Sequence, residues 1–225
     1  MAVNPALAVS PPRPDRPELI VPNAAAVRQI LEAAEGPLRT ALLLAASTGM
    51  RRGEVLGLRW AALDGTRLHV NASLQRVSGE LVFVAPKTDR SRRTIALPPI
   101  TVEALRRWRK DQAERRLLLG EAWHDAGVVV DRGDGRPLDP AELSHGFACL
   151  CARNGLGGVR LHDLRHAFAT QLLVGGVHPK VVSDALGHAS TAFTMDVYSH
   201  VLPSMGEQVA EAMQEALAGV PRGQR

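Results

Sequence analysis

The sequence has few cysteines, few aromatic residues and no long apolar run. Its two cysteines, Cys149 and Cys151, are too few for a disulfide framework and indicate a reducing compartment. No stretch approaches the roughly 20 apolar residues that a membrane span requires. The first residues do not combine a basic segment with an apolar core, as a secretion signal does. These absences argue against the secreted and membrane-spanning classes, so we expect a cytoplasmic protein.

Lysine is also scarce. Only Lys87, Lys110 and Lys180 occur among the 27 basic residues, and the others are arginine. The formal net charge is +4 and the isoelectric point is about 9.7. Arginine is the preferred side chain for bidentate phosphate contacts, but alanine- and arginine-rich chains also arise from G+C-rich genomes. The excess charge is therefore weak evidence for a nucleic-acid partner, and the positions of the basic residues matter more.

The length of 225 residues suits one large domain with a short appendage. Prolines are frequent in residues 1–22, which we expect to form an extended arm or linker ahead of a domain over 23–218 and a tail over 219–225. Helical periodicity predicts helices over 24–35, 37–47, 53–60, 101–119, 140–153, 162–174, 179–188, 190–200 and 203–219. Alternating apolar residues predict strands over 67–73, 79–87 and 92–98, joined by turns. The predicted fold is mainly α with a small antiparallel β-sheet, of the α+β class.

Tyr198 is the one tyrosine of the chain, and several polar groups precede it. A lone tyrosine in a helical segment usually packs half-buried. Arg51 follows a predicted helix end, and Glu54 lies three residues on. Residues at this spacing are neighbours on a helix, so we expect Glu54 to hold the guanidinium of Arg51. His162 and Arg165 have the same spacing in HDLRH. Taken singly, each of these residues fits an ordinary structural role, such as a surface ion pair for Arg51.

His162 and His166 lie one helical turn apart, a spacing that zinc ligands also use. The segment HDLRH lacks the glutamate of the HExxH pattern, and no third ligand is apparent. Cys149 and Cys151 have no supporting ligands either, and we interpret them as small buried thiols. His188, at the end of a predicted helix, has an alternative role in capping its last carbonyls. The sequence therefore predicts no metal site and no cofactor.

A basic cluster lies between two predicted strands, in PKTDRSRRTIAL. Lys87, Arg90, Arg92 and Arg93 are predicted to form a hairpin tip of the kind that enters a nucleic-acid groove. A solvated turn is the ordinary alternative for such a run of charge. Lys87 stands where this chain otherwise uses arginine, and lysine, unlike arginine, loses a proton readily. A lysine at position 87 in place of an arginine therefore indicates a group that donates a proton.

Together these groups supply what metal-independent phosphodiester cleavage requires. Two arginines clamp the non-bridging oxygens of a phosphate and offset the charge of the transition state. A tyrosine hydroxyl attacks phosphorus and forms a covalent ester. Because its pKa is about 10, it needs a base or a positive field nearby. A histidine helps to remove its proton, and a lysine protonates the departing oxygen.

Five segments in this order resemble the motifs of the tyrosine recombinases, also called phage integrases. They are TGMRRGEVLGLRW at 48–60, PKTDRSRRTIALP at 86–98, LHDLRHAFAT at 161–170, LGHAS at 186–190 and DVYSH at 196–200. The resemblance covers about residues 20–215 and implies a tyrosine recombinase catalytic domain. The activity implied is site-specific recombination or integration, in which DNA strands are broken and rejoined without a metal or a high-energy cofactor.

The resemblance implies a role for each residue that matches a motif. Arg51 and Arg165 would bind the scissile phosphate, and Lys87 would be the general acid on the hairpin. His162 would act as base or hydrogen-bond partner, and Tyr198 would be the nucleophile that forms a 3′-phosphotyrosine. These assignments follow from the family's motifs and not from spacing alone.

His188 and Glu54 complete the implied site. His188 would donate a hydrogen bond to the phosphate, and Glu54 would orient the arginine side of the site. The implied partner is double-stranded DNA, so the protein would be nucleoid-associated when bound. Family members usually carry a helical core-binding domain ahead of the catalytic one. Here only about twenty proline-rich residues precede it, and we expect a chain without that domain.

The segment over 203–219 is predicted to be an amphipathic helix. Its apolar stripe consists of Met205, Val209, Met213 and Leu217. Packing on its own domain is the ordinary role of such a stripe. The resemblance implies instead that the helix docks on a neighbouring protomer and helps to assemble a DNA-bound homotetramer.

Two other functions remain open beside strand exchange. The same cleavage chemistry relaxes supercoiled DNA in type IB topoisomerases, and the DNA products distinguish the two activities. The second alternative is a non-catalytic or truncated DNA-binding remnant of a recombinase, which would form no covalent adduct with DNA. The complete set of six polar groups argues against such a remnant.

Overall fold

The computed structural model describes residues 20–86 and 92–187, together with positions 213, 214 and 217. In these parts of the chain the α-helices are α1 (Ala24–Ala33), α2 (Gly36–Thr48), α3 (Arg52–Gly57), α4 (Pro99–Leu119), α5 (Pro140–Arg153), α6 (Asp163–Val174) and α7 (Pro179–Leu186). The strands are β1 (Leu63–Asp64), β2 (Arg67–Val70), β3 (Ser73–Val77), β4 (Glu80–Val84) and β5 (Arg93–Ala96). The predicted class, mainly α with a small antiparallel component, is confirmed.

The first two helices begin and end where local sequence signals place them. Asn23 caps α1, and its Oδ1 accepts a hydrogen bond from the amide of Ala26 at 2.9 Å. Helix α2 is apolar on nearly all sides, and Leu42 and Leu44 on it are fully buried. It ends at Gly49, which adopts the left-handed conformation with φ of 63°. The predicted bounds of both helices are confirmed to within two residues.

Helix α3 is shorter than the predicted helix over 53–60. Its last residue, Gly57, lies against β3, where a Cβ atom would stand 2.8 Å from the amide nitrogen of Leu74. The chain then becomes extended at Leu58, whose carbonyl accepts a hydrogen bond from the amide of Val129 at 2.9 Å. The helix therefore ends where a tertiary contact begins, and local pattern does not encode that contact.

The strands form two antiparallel sheets, with the order β1–β2–β5 in one and the hairpin β3–β4 in the other. The predicted strand over 67–73 divides between β2 and β3. Strand β5 returns to β2 and pairs Ile95 with Leu68, whereas β3 and β4 turn at Ser78 and Gly79. The arrangement thus differs from three strands joined in sequence by turns, because β5 pairs with β2 and not with β4.

Helix α4 closes the core through one of its faces. Val102, Leu105 and Trp108 are all buried. The indole nitrogen of Trp108 donates to the carbonyl of Val129 at 2.6 Å. This bond fixes the extended segment over 128–131, whose three valines are buried. Val129 therefore connects α4 with Leu58, the residue that follows α3, and stabilises the end of α3.

Some predictions fall outside the described residues. Residues 1–19 of the predicted arm over 1–22 lie outside them, as does the predicted tail over 219–225. The helices predicted over 190–200 and 203–219 also lie outside them, except for positions 213, 214 and 217, which are helical. Among the described residues, no helix has the length and apolar character that crossing a membrane demands. Of the two cysteines, Cys151 is buried as interpreted, but Cys149 is exposed because α5 presents it on its outer face.

Candidate active site

Arg51 lies at the N-terminus of α3, and Glu54 holds it there. Its Nη1 donates to Glu54 Oε1 at 2.9 Å, and its backbone amide donates to Glu54 Oε2, also at 2.9 Å. One carboxylate therefore caps the helix and fixes the guanidinium, which is the contact that the spacing predicted. The Arg51 side chain remains 43% exposed, so part of its guanidinium is open to a ligand.

Arg93 is the second guanidinium on Glu54. Its Nη2 donates to Oε2 at 2.8 Å and its Nη1 to Oε1 at 3.3 Å, while its Nε donates to the carbonyl of Ala185 at 2.7 Å. The Arg93 side chain is only 6% exposed. Its predicted position at an exposed hairpin tip is therefore wrong. Side chains alternate along a strand, and this places Arg93 on the same face as the buried Ile95 and Leu97.

Glu54 stays ionised although it is buried. Burial acts to raise its pKa, but the hydrogen bond and charge of Arg93, followed by those of Arg51, outweigh burial and lower the pKa below its usual value. Arg93 is thus the principal partner of this carboxylate. The three ionised groups together carry one net positive charge.

Arg165 is a buried cation that links α6 to two turns. It is 3% exposed, and its Nη1 donates to the carbonyl of Gly49 while its Nη2 donates to that of Leu186 at 2.7 Å. Gly49 has φ of 63°, and a Cβ atom on it would stand 2.5 Å from Cδ1 of Phe168. Only glycine fits this turn, which presents its carbonyl to Arg165 and places Arg51 two residues farther along the chain.

Three successive carbonyls at the C-terminal end of α7 accept hydrogen bonds from three arginines. The bonds are Arg93 Nε to Ala185 O at 2.7 Å, Arg165 Nη2 to Leu186 O at 2.7 Å and Arg51 Nη2 to Gly187 O at 3.5 Å. The C-terminal end of a helix carries partial negative charge, so cations are favourable there. Strand β5, helix α6 and the start of α3 therefore converge on one helix end, directly ahead of residue 188.

His162 precedes α6, and His166 lies one turn along that helix. Their rings meet edge to face with centroids 4.9 Å apart. Partial burial and then the charge of Arg165 lower the pKa of His162. Partial burial and then His162 lower the pKa of His166 to about 4. Both imidazoles are therefore neutral near pH 7, and a neutral imidazole accepts a hydrogen bond or a proton.

A cleft of about 840 Å³ opens beside Arg51 and His162. Three more exposed arginines line it: Arg52, Arg76 and Arg160. Its deeper wall is apolar and includes Met50, Val55, Leu74, Leu143 and Phe147. Asp139, which pairs with Arg76, also lines the cleft, so arginines outnumber carboxylates around an apolar floor.

Four of the predicted site residues, Lys87, Arg90, His188 and Tyr198, lie outside the described residues. Their roles stay predictions. Arg92 is exposed, one residue before β5 begins, and its role as a DNA contact also stays a prediction.

Known proteins resemble this chain in sequence. The model of the phage integrase family matches residues 23–205. A tyrosine recombinase XerC-like protein of Caldanaerobacter subterraneus subsp. tengcongensis is 30% identical over 204 residues, which cover 84% of this chain and 52% of that protein. The ICEBs1 integrase of Bacillus subtilis is 29% identical over 181 residues, which cover 80% of this chain and 49% of that protein. The chain spans about half the length of these curated relatives.

Solved structures show the same fold. An integrase of the transposon Tn1549, in complex with transposon right end DNA, superposes with a TM-score of 0.74 at 22% identity and covers 91% of this chain and 68% of that one. The XerA recombinase superposes with a TM-score of 0.64 at 22% identity and covers 95% of this chain and 68% of that one. The family match over most of the domain, on a fold that these recombinases share, leads to one conclusion: the chain belongs to the phage integrase family.

Proposed function

We propose that this chain is a site-specific DNA strand-exchange enzyme that acts through a 3′-phosphotyrosine intermediate. The observation that carries the proposal is the convergence of Arg51 and Arg165 on the carbonyls of residues 186 and 187. The guanidinium groups of Arg51, at the start of α3, and Arg165, on α6, thus lie beside the two residues that precede His188 in the sequence. Tyr198, the sole tyrosine, follows His188 by ten residues. The two guanidinium groups are suited to one phosphate with developing negative charge.

The proposed reaction is a transesterification that conserves the number of phosphodiester bonds. The hydroxyl oxygen of Tyr198 attacks phosphorus, and the bond to the 5′ oxygen breaks, which leaves a 3′-phosphotyrosine and a free 5′ hydroxyl. His162 takes up the proton that Tyr198 loses, and Lys87 gives one to the departing oxygen. Attack by a 5′ hydroxyl of a partner strand reverses these steps and joins the strands.

Each described residue has a property that suits this scheme. The low pKa of His162 keeps its ring neutral and able to accept a proton near pH 7. Arg51 is fixed by Glu54 and still 43% exposed, so it reaches a ligand without further ordering. Arg165 is held by two carbonyls and therefore presents its charge in one place. Preorganised charge of this kind lowers a barrier without reorganisation during the reaction.

The proposed partner is double-stranded DNA. The Tn1549 integrase was solved with transposon DNA, and a lambda integrase dimer was solved on a core site. In this chain the arginines around the 840 Å³ cleft give a basic surface next to the proposed site. Lys87, Arg90 and Arg92 are proposed to contact the backbone from the segment before β5. Phosphate contacts of this type position a protein on DNA without reading its sequence.

Covalent trapping tests this function. The protein is incubated with a library of nicked duplexes of randomised sequence around the nick, with excess EDTA, and is then denatured. Cleavage near the nick releases a short fragment, so the covalent intermediate accumulates. We expect a protein–DNA adduct that protease digestion removes, because arginine and lysine supply the charge stabilisation that a divalent metal gives in other enzymes.

A folded protein that forms no adduct with any library member would contradict the proposal and indicate a DNA-binding remnant. Loss of the adduct on chelation, restored by magnesium, would contradict the metal-independent chemistry. The products then separate the remaining alternatives. Exchanged strands between two duplexes support recombination, whereas relaxed plasmid without recombinant products indicates topoisomerase-like activity.

We also propose that the C-terminal segment over 203–219 joins protomers in a DNA-bound tetramer. Of its apolar stripe, Met213 is 52% exposed and Leu217 is 79% exposed. Exposed apolar residues at helical spacing gain free energy when a partner covers them.

Deletion of residues 204–225 tests this assembly role. We expect the shortened protein to bind single sites and to lose the slower-migrating complex that holds two duplexes in a native gel. Met213→Ser is a milder variant with the same expected direction, and Gln214→Ser on the neighbouring exposed position is its control. Synapsis that persists after the deletion would show that the segment does not join protomers.

A further inference from the structure

The Glu54 carboxylate is shared by two arginines that differ in exposure. Arg51 is 43% exposed, and Arg93 is 6% exposed. Arg93 uses both terminal nitrogens on Glu54 and its Nε on the carbonyl of Ala185. Its charge is therefore directed at Glu54, and Arg93 is not one of the residues that line the 840 Å³ cleft. Because the partner of Arg93 is the same carboxylate that bonds Arg51, Arg93 acts on Arg51 through Glu54.

The charges of Arg51, Glu54 and Arg93 indicate an electrostatic role for Arg93. A carboxylate that bonds Arg51 at 2.9 Å offsets the positive charge that Arg51 brings to a phosphate. Arg93 offsets that carboxylate in turn, so the trio carries one net positive charge. Without Arg93, the pair of Arg51 and Glu54 would be neutral in a partly buried place where charge is poorly screened.

We propose that Arg93 is a positioning residue of the strand-exchange reaction, whose charge cancels that of Glu54 so that Arg51 keeps its full charge for the scissile phosphate. The inference rests on the proposed function. Arg93 also joins segments that are far apart in sequence. It bonds Glu54, which is 39 residues away, and Ala185, which is 92 residues away. The same residue fixes the end of α7 against β5.

A double-mutant cycle separates this electrostatic role from simple packing. Arg93→Gln removes the charge but keeps an amide that donates to Ala185. Glu54→Gln removes the opposing charge but keeps an oxygen for the amide of Arg51, as glutamine does in a capping box. The double variant restores one net positive charge on Arg51. Arg67→Gln, on the exposed side of neighbouring β2, is the matched control.

The readout is the single-turnover rate of adduct formation at saturating DNA. We expect Arg93→Gln to lose roughly 10²-fold, the scale of removing one preorganised charge or donor at such a site. The double variant should recover most of this loss, and Arg93→Lys should cleave faster than Arg93→Gln. Arg67→Gln should match wild type. A structural role alone predicts that the double variant is at least as slow as Arg93→Gln, and this result would overturn the proposal.

Folding is checked by the thermal midpoint of each variant. If Arg93→Gln does not fold, the double variant is compared with wild type directly. A rate near that of wild type then supports the charge balance, and a loss of roughly 10²-fold overturns it.

Failure of the proposed function gives a different pattern from failure of this inference. A wild-type protein that forms no adduct contradicts the function, and binding of inorganic sulfate then tests the charge balance. The sulfate-induced rise of the thermal midpoint, at constant ionic strength, should shrink in Arg93→Gln and return in the double variant. An equal rise in all variants would overturn the inference.

Discussion

Tyr198→Phe is expected to bind DNA as wild type does and to form no covalent adduct. The substitution removes only the hydroxyl oxygen that attacks phosphorus, so phosphate contacts persist while the intermediate has no atom through which to form. Lys87→Ala is also expected to bind, but to cleave more slowly by roughly 10²–10⁴-fold, the usual contribution of a general acid. Both rates are measured as adduct formation on a nicked duplex.

Sulfur in place of the bridging 5′ oxygen separates these two roles. The departing thiol has a pKa of about 8.5 and needs little help from a proton donor. The phosphorothiolate substrate should therefore rescue Lys87→Ala substantially and leave Tyr198→Phe inactive. Rescue of both variants, or of neither, would contradict Lys87 as the general acid. Lys110→Ala, on the exposed face of α4, is the matched control and should behave as wild type with either substrate.

Arg165→Lys is expected to lower the cleavage rate by roughly 10²–10³-fold, although it keeps the charge. The planar guanidinium bonds the carbonyls of Gly49 and Leu186 from two nitrogens, and one ammonium cannot reproduce this fork. The loss should appear in the single-turnover rate at saturating DNA. Sulfur at the 5′ position should not restore it, because the phosphate oxygens and not the leaving group lose their partner.

The stability of Arg165→Lys is measured in parallel by urea unfolding. A buried carbonyl left without a partner costs about 1–3 kcal/mol, so a lower free energy of unfolding is expected. Arg153→Lys, at an exposed arginine that bonds the carbonyl of Cys149 within α5, is the control and should change neither quantity much. A wild-type cleavage rate in Arg165→Lys would contradict the role of this guanidinium.

Local signals in the sequence were sufficient for most of the helices. The cap at Asn23, the left-handed turn at Gly49 and the bounds of α5 each depend on residues within one or two turns. The predicted contact of Arg51 with Glu54 is equally local, three residues apart. Short-range geometry decides such features, so a single sequence reveals them.

Features that depend on distant residues were not predicted. The pairing of β5 with β2, and the bond from Arg93 to Ala185, join segments that no local pattern connects. The alternation of Arg93 with Ile95 and Leu97 did indicate an inward side chain, but the surrounding run of charge favoured an exposed tip. A buried cation requires a buried anion, and for Arg93 this is Glu54. Glu54 lies on α3 and Arg93 on β5, so only the tertiary fold places the two side chains in contact.

The position of the covalent link decides whether Tyr198 is the nucleophile. The adduct formed in EDTA is digested with nuclease and protease, and mass spectrometry locates the residue that carries the remaining nucleotide. We expect a 3′-phosphorylated nucleotide on the oxygen of Tyr198 and a free 5′ hydroxyl on the released strand. A nucleotide on any other residue, or a link through a 5′ phosphate, would contradict this expectation.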